Sequence, residues 1–588
     1  MSGLSRTLFL GILFSSVTVA GCGSDNPADP VIIPPLGVSV TPLSVSSVRV
    51  SFNSNAGDTG YEIERAEGAS GTFAIATTVP APAAPGAVAY DDGSLKVNTL
   101  YRYRVTSVRG ARRSVASGEA NATTFNFGGN QTINVTTDIT VNTTWKAENT
   151  YVLKAFVHVA NGATLTIEPG TTIKGDQIDA TTLGSSLFIL RGAKIMAIGT
   201  AAAPIVFTSA RSAGQRQPGD WGGLILVGNA TINRTGVEIE IEGTNTTSGG
   251  TVAGTNYKVT YSGGNTDTDN SGELRYVRVE FAGNAPSINN ELNSFTLAAL
   301  GSGTKLSFLQ SLAGLDDAFE FFGGTADASN LVSYESGDDH FDMSEGYRGR
   351  LQNLIALQTT QIPPRTNAGS ASTDPQGIEN DGCNGAGCIS GFNQPPFTIP
   401  IVANFTLIGT GDLASSASAG GVGMMLRRGT GGYYVNGIVA RWVRAAISIR
   451  DADTYVRGGS VATPDLATSD FALRNLLFAD NGSNFQAASG SNIQNSFDLA
   501  GNALTVVAAG TPAQSLFTAL PATGVVPTAA TLDFTPTAAS GASSGGLATF
   551  TGKLATVAGT VVTGTAYRGA VNPAGPKWWQ GWTVYARN

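Results

Sequence analysis

Short runs of alternating apolar and polar residues recur along most of this chain. Examples are LRYVRVEFA from Leu274, LNSFTLAAL from Leu292, KLSFLQSLA from Lys305, NLVSYES from Asn330 and RLQNLIALQ from Arg350. Each is rich in β-branched and aromatic residues and is bounded by Gly, Asp, Asn or Ser, the pattern of strands joined by tight turns. Helical spacing is absent here. Within this region DDAFE, Asp316 to Glu320, returns as DDHFD, Asp338 to Asp342, 22 residues later at every position. A fixed period of roughly 20–30 residues marks a solenoid, whose units bury their apolar faces only by stacking on one another. Short strands at that period predict an all-β chain built on a parallel β-helix.

The rest of the chain is organised around that region. Met1 to Gly21 carries one basic residue, Arg6, then an apolar stretch from Leu8 to Ala20 that ends in small residues. This is the layout of an export signal. Val19-Ala20-Gly21-Cys22 resembles a bacterial lipobox, which implies cleavage before Cys22 and lipid attachment there. Residues 22–35 read as an extended Pro- and Asp-containing tether. Ser24 follows Gly23, and nothing resembles an inner-membrane retention signal. The expectation is therefore a lipid-anchored protein of the cell envelope, at the outer membrane.

From 36 to 125 the strands VRVSF, GYEIERA, TFAIATTV and LYRYRVTSV follow one another at short spacing. With Tyr61 in the third strand and Leu95 followed by Tyr101, the segment resembles a fibronectin type III domain and its tyrosine corner. Phe52 stands where that family usually has tryptophan.

The β-helix is expected over 126–510. VHVANGATLTIEPGTTIKG from Val157 and LFILRGAKIMAIGT from Leu187 share a turn pattern offset by 30 residues, so early coils are longer than later ones. EPGTTIKG, GTAAAPIVFTSA, GDWGGLILVGNATIN, DNSGELRYVRVEFAG and ELNSFTLAALGSGT together resemble a group of bacterial secreted or lipid-anchored right-handed β-helix proteins. That resemblance implies fold and address rather than activity. A Pro-, Gly- and Asn-rich stretch at 359–400 reads as an inserted loop, of the kind that often binds or covers. It holds Cys383 and Cys388, expected to form a small disulfide. Residues 511–588 read as low-complexity late coils, or a flexible cover, followed by an aromatic closure, where Trp578, Trp579 and Trp582 either shield the last coil or offer a platform for sugar rings.

Composition narrows the functional classes. Over 588 residues only 13 % are charged and the net charge is −8, which argues against nucleic acid as a partner. The two histidines, His158 and His340, leave little room for histidine-based chemistry.

The acidic repeat is the sharpest candidate site. If 22 residues make one turn, Asp316 lies over Asp338, Asp317 over Asp339 and Glu320 over Asp342, about 4.8 Å apart. Like charges at that spacing repel by roughly 1 kcal/mol per pair even in water. Ca²⁺ held by these six carboxylates would offset the repulsion, as would raised pKa values or a ladder of backbone amides. Phe319 and Phe341 are expected in the core, with Glu320, His340 and Asp342 facing outward. Gly337-Asp338-Asp339 resembles the paired aspartates of polygalacturonase-type β-helix hydrolases, but the Gly-His-Gly and Arg-x-Lys motifs of those enzymes do not occur. For an enzyme the candidate acids are Asp316, Asp338, Asp339 and Asp342, with Arg348 or Arg350 as the base of a lyase. A second acidic run, Asn265 to Glu273, reads as a turn or a loose Ca²⁺ loop.

Two functional readings follow. The first is a non-enzymatic surface for adhesion or for binding a glycan or an envelope protein. The second is a polysaccharide lyase or hydrolase acting along the β-helix face.

Overall fold

The computed structural model describes residues 31–125, 131–176, 184–244, 258–286, 290–372, 375–412, 421–459, 464–487 and 498–585. The expected signal segment, Cys22 and most of the tether lie outside them. No helix among the described residues is long and apolar enough to cross a membrane. The chain divides into two compact units, at residues 1–126 and 127–588.

The first unit is an antiparallel sandwich. Leu36–Ser44, Ser47–Asn53 and Ala87–Asp92 form one sheet, and Ala74–Pro80, Gly60–Glu67 and Leu100–Arg109 form the centre of the other. Alternation places Val48, Val50 and Phe52 inward against Tyr61, Ile63, Tyr103 and Val105. Phe52 meets Tyr61 edge to face at 4.8 Å, so the smaller ring fills the tryptophan position. Tyr101 Oη accepts the Lys96 N–H at 2.9 Å, closing the tyrosine corner.

The second unit is a parallel β-helix. Glu320 pairs with Asp342, and Leu309 with Leu331, so 22 residues are one coil, while Leu165 pairs with Ile195 across the longer early coil. Equivalent side chains therefore stack. Phe295, Phe319 and Phe341 form an inward column at 4.8 and 5.5 Å, continued by Ile378.

Each coil turns three corners, and at the corners many coils place one residue in left-handed backbone. One corner column runs Tyr276, Phe308, Asn330, Asn353, Asn404, Asn436 and Asn475, with φ between 51° and 66°. Asparagine fits because it tolerates this region better than other non-glycine residues do. A second column includes Ala313, Glu335, Arg441 and Asp480, and a third Ala299, Gly323, Glu345 and Arg428.

Two expectations about the chain's later part are corrected. The 359–400 stretch is not a single loop, because Gln376–Asp381 is a full strand pairing with Phe341–Ser344 and with Val422–Arg427. Inserted residues stretch that coil to 37 residues, from Asp342 to Glu379, and so mask the 22-residue period. Residues 511–585 add no late coils either, since Thr505–Val506 is the last strand to join the solenoid.

Instead the chain turns back and lies along one side of the solenoid as a strap. Leu516, Phe517, Phe534, Trp579 and Trp582 pack on Leu312, Tyr334, Leu357 and Ile408, which point outward one per coil. Gln310 pairs with the strap backbone through both ends of its amide, donating to Val584 O at 2.7 Å and accepting from Val584 N at 3.0 Å. The asparagine corner supplies further anchors: Asn404 donates to Thr565 Oγ1, and Asn436 accepts the Leu547 N–H. The aromatic segment thus closes the flank rather than the end, because the apolar residues needing cover lie on the flank. Trp579 and Trp582 are 2 % and 1 % exposed, which rules out a flat sugar platform made of all three tryptophans.

Trp582→Ala should lower stability by about 3–5 kcal/mol, the usual cost of truncating a buried aromatic. Limited proteolysis should then cut within 565–585 before the coils. An unchanged thermal midpoint and digestion pattern would remove the strap from the fold's energetics.

Candidate functional site: an acidic row across four coils

The acidic residues sit where a corner meets one strand face. Asp316 and Asp317 precede Phe319–Gly324, and Asp338 and Asp339 precede Phe341–Ser344. At the corner a chain of side-chain acceptors staples each coil to the next. Asn293 Oδ1 accepts from Asp317 N at 3.2 Å, and Asp317 Oδ1 from Asp339 N at 2.8 Å. Asp339 Oδ1 then accepts from Gln376 N, and Gln376 Oε1 from Val422 N at 3.2 Å. One oxygen of Asp317 and one of Asp339 are thereby committed to satisfying buried backbone donors.

Beyond the corner, Thr296, Glu320, Asp342 and Glu379 form an outward column in continuous register. Asn293 Nδ2 donates to Glu320. At the far end Arg427 donates to Glu379 and, at 2.8 Å, to Asp381, and Arg428 also donates to Asp381.

Three groupings bring carboxylate oxygens within 4.8 Å of one another: Asp316, Asp317 and Asp338; Asp317, Glu320 and Asp342; and Asp339, Asp342 and Glu379. Burial first, and the neighbouring carboxylates second, hold Asp316, Asp317, Glu320, Asp339, Asp342 and Glu379 well above the usual carboxylate range. Glu242, facing Glu291 and Asp338, is pushed up to about 7. Asp342 Oδ1 and Ser344 Oγ, on the same strand face, are buried atoms with no hydrogen-bond partner.

All six acids singled out in the repeat come together here. Glu242, Glu379, Asp381 and the two arginines were not foreseen. The inserted residues before Gln376 conceal the coil that carries Glu379 and Asp381, and Glu242 arrives from a separate flap. That flap, from residues 229–244 and 258–262, lays Ile239, Ile241 and Tyr261 on the apolar outward residues Phe188, Ile225 and Val227 of earlier coils. The acid column begins where this cover ends.

His340 corrects the outward expectation. The strand begins only at Phe341, so simple alternation does not reach His340, which is 1 % exposed with Nδ1 2.6 Å from Ser333 Oγ. Burial pushes it down to about 3, leaving it neutral. Arg348 contacts Asp267 at 3.1 Å, and Arg350 holds Asp327 through two bonds of 2.8 and 2.7 Å. Neither arginine reaches the acid column through these bonds; Arg427 meets it at Glu379, with Arg428 beside it on Asp381.

In the second acidic run, Asp267 Oδ1 accepts from Thr231 N and Asp269 Oδ2 from Asn229 N, while Asn270 Oδ1 accepts from Gly272 N. This is turn chemistry that anchors the flap. Cys383 and Cys388 are joined in a disulfide. Its loop grips the flap's base: Thr235 N donates to Gly387 O at 3.0 Å and Arg234 Nε to Ala386 O at 2.7 Å. Arg234 and Tyr261 both donate to Glu345, at 2.6 and 2.8 Å.

The stacked coils and the sandwich before them define a parallel β-helix protein with a fibronectin type III-like unit. The chain belongs to the pectate-lyase-like β-helix domain family, whose pattern matches residues 137–515. Solved structures similar to part of it include FN3tt, at 22 % identity over 16 % of this chain and 91 % of that one, with a TM-score of 0.13. An Fn3-like protein from Clostridium thermocellum matches at 23 % identity over 15 % and 86 %, with a TM-score of 0.13. A structure described as a myokine matches at 18 % over 16 % and 98 %, with a TM-score of 0.14. Comparison with curated proteins returns no match.

The raised carboxyl pKa values set the sign of a pH dependence. Native carboxyls that hold their protons more tightly than unfolded ones stabilise the fold fully below about pH 4, the unfolded value. That stability is lost as pH rises through the native values, which for Glu242 means about 7. In chelator, the thermal midpoint should therefore fall between pH 4 and pH 7, and Asp342→Asn should flatten the slope. A midpoint that rises over this range would contradict the raised values. Separately, Cys383→Ser/Cys388→Ser should speed amide exchange in 231–242 and 258–262 at least tenfold over the core strands, as read by hydrogen–deuterium exchange.

Proposed function

We propose that this is a lipid-anchored cell-envelope protein, tethered through Cys22, that binds an extended glycan or an envelope protein along its rigid β-helix face. It does so without performing chemistry on the bound chain. The observation that carries this reading is the outward column Glu320, Asp342 and Glu379, one carboxylate per coil, ending at Arg427 and Arg428. A ligand lying along the solenoid axis would meet this row at Asp342, its most exposed member, and then a cationic edge, with Glu320 and Glu379 largely buried on either side.

The donor set suits Ca²⁺, a hard cation that takes six to eight oxygens in flexible geometry. Asp316, Asp317, Glu320, Asp338, Asp339 and Asp342 would hold it, joined by Glu379. Bound Ca²⁺ would supply positive charge to bridge these acids to an acidic ligand. Asp317 and Asp339 keep one oxygen each on the backbone staple and so fix the positions of the rest.

The second reading, a lyase or hydrolase on an acidic polysaccharide, draws its support from the pectate-lyase-like family match. Against hydrolysis with inversion stands the spacing. Paired acids that leave room for an attacking water lie roughly 6.5–9.5 Å apart, whereas oxygens in these groupings approach within 4.8 Å.

Thermal unfolding of the protein from residue 23 onward tests the reading. Ca²⁺ should raise the midpoint, by about 2.7 kcal/mol of stabilisation at a hundredfold excess over Kd. Asp338→Asn/Asp342→Asn should abolish the rise while stabilising the protein in chelator, because two repelling acids are gone. No response to Ca²⁺ would remove the metal from the proposal. Product release from polygalacturonate that Asp342→Asn abolishes without unfolding would put the enzymatic reading first.

A further inference from the structure

The end of the sandwich that receives the N-terminal segment gathers exposed apolar side chains and arginines. Ile32 and Pro35 are buried, while Val31, Ile33 and Leu36 face solvent and are 84 %, 52 % and 66 % exposed. The segment is held in place: Asn55 Nδ2 donates to Ile33 O at 3.2 Å and to Pro34 O at 3.3 Å, and Leu36 lies across from Asn53. Two further loops join residues 53–59 at this end. Ser54 N donates to Gly86 O at 2.9 Å and Ala81 N to Thr59 O at 3.3 Å, which fixes the exposed, wholly apolar run Pro82, Ala83, Ala84 and Pro85 between them. Arg109 donates to Ala56 O at 2.7 Å and to Asp58 at 2.8 Å. It pairs with Arg112 across a tight turn, so the exposed Arg112 and Arg113 stand at the same end.

A solvent-facing valine or leucine is ordinary by itself. Three of them within six residues, hydrogen-bonded in place beside an alanine–proline loop and rimmed by guanidinium groups, are the kind of patch that marks a protein or membrane contact. Two features choose the membrane. Cys22 stands nine residues before Val31, so lipid attached there would keep this end within about 30 Å of the bilayer even with the chain fully extended. The chemistry also matches an interface. Apolar side chains gain by entering the boundary between headgroups and acyl chains, while arginine donates to phosphate oxygens and keeps its charged head in water. Asp58 and Glu62, bonded to Arg109 and Arg113, balance two of the three arginines and leave one positive charge in excess. We propose that this end of the sandwich docks on the bilayer surface, with Val31, Ile33 and Leu36 in the headgroup layer and Arg109, Arg112 and Arg113 toward lipid phosphates. The choice of occupant rests on the reading that Cys22 carries lipid. The patch is a second membrane contact beside that lipid, and it sets how the sandwich stands on the bilayer.

The chain from residue 23 onward, which lacks the lipid, tests the patch by itself on vesicles of phosphatidylethanolamine and phosphatidylglycerol at millimolar lipid. An environment-sensitive fluorophore on Ala84→Cys should shift its emission to the blue when vesicles are added. The same probe on Ala69→Cys, beyond the far end of the strand Gly60–Glu67, should not respond. Val31→Asp/Ile33→Asp/Leu36→Asp should lower the vesicle partition coefficient at least fivefold with an unchanged thermal midpoint, because all three side chains are exposed. Equal responses from both probes, no partition, or partition unaltered by the triple substitution would overturn the proposal. Dimerisation that the same substitutions abolish, without vesicle binding, would also overturn it by assigning the patch to a second copy. Palmitate labelling of the full-length protein, compared with Cys22→Ser, checks the anchor separately. Vesicle docking without labelling would remove the anchor and keep the patch, and labelling without docking would do the reverse.

Discussion

Everything distinctive in the second unit depends on one constraint, the hydrogen-bonded register between successive parallel coils. Once the backbone of one coil pairs with the next, equivalent residues stack at about 4.8 Å along the whole solenoid. Phenylalanines then form a continuous inward column, asparagines a continuous corner, and acids a continuous outward row. None of these columns is stable because of a single residue. Each follows from the same backbone pairing repeated.

Register also makes the acidic row expensive, and the surroundings show how the cost is met. Part of it is avoided because Asp317 and Asp339 accept backbone N–H groups from the next coil. Part is offset by Arg427 and Arg428, whose guanidinium groups reach Glu379 and Asp381. Burial works against the charge of Arg427, but Asp381 and Glu379 outweigh it and raise its pKa. The remainder shows as carboxyl pKa values that burial and crowding raise together. A fold that needed only a ladder of backbone acceptors could have used asparagine, as it does at Asn293. Retaining acids at the adjoining outward positions is what singles this face out.

The solenoid's outer faces need cover wherever their outward residues are apolar, and two different segments provide it. The flap covers the early coils over Phe188 and Ile225, and the disulfide loop holds its base. The C-terminal strap covers the flank over Leu312, Tyr334 and Ile408. The outward stretch between the flap and Arg427 is the acidic one, and its carboxylates are themselves largely buried. The layout of sites on this molecule is thus set by where apolar outward residues stop.

Much of this was legible in the chain itself. The 22-residue return of DDAFE as DDHFD determined the coil length, the phenylalanine column and the stacking of Asp on Asp, because a solenoid's repeat is local and needs no knowledge of distant segments. The alternation in residues 36–125, with Leu95 and Tyr101, likewise determined the sandwich and its corner. Only the tertiary structure decided what lies against those stacks. Glu379 joins the row although the inserted residues hide its coil, and Glu242 enters from a flap far away in sequence. His340 turns inward because a corner interrupts alternation, and the terminal tryptophans seal a flank rather than an end. The physical reason is the same in each case. Periodicity reports contacts between neighbouring coils, whereas insertions, flaps and straps are placed by the surface left uncovered once the coils have stacked.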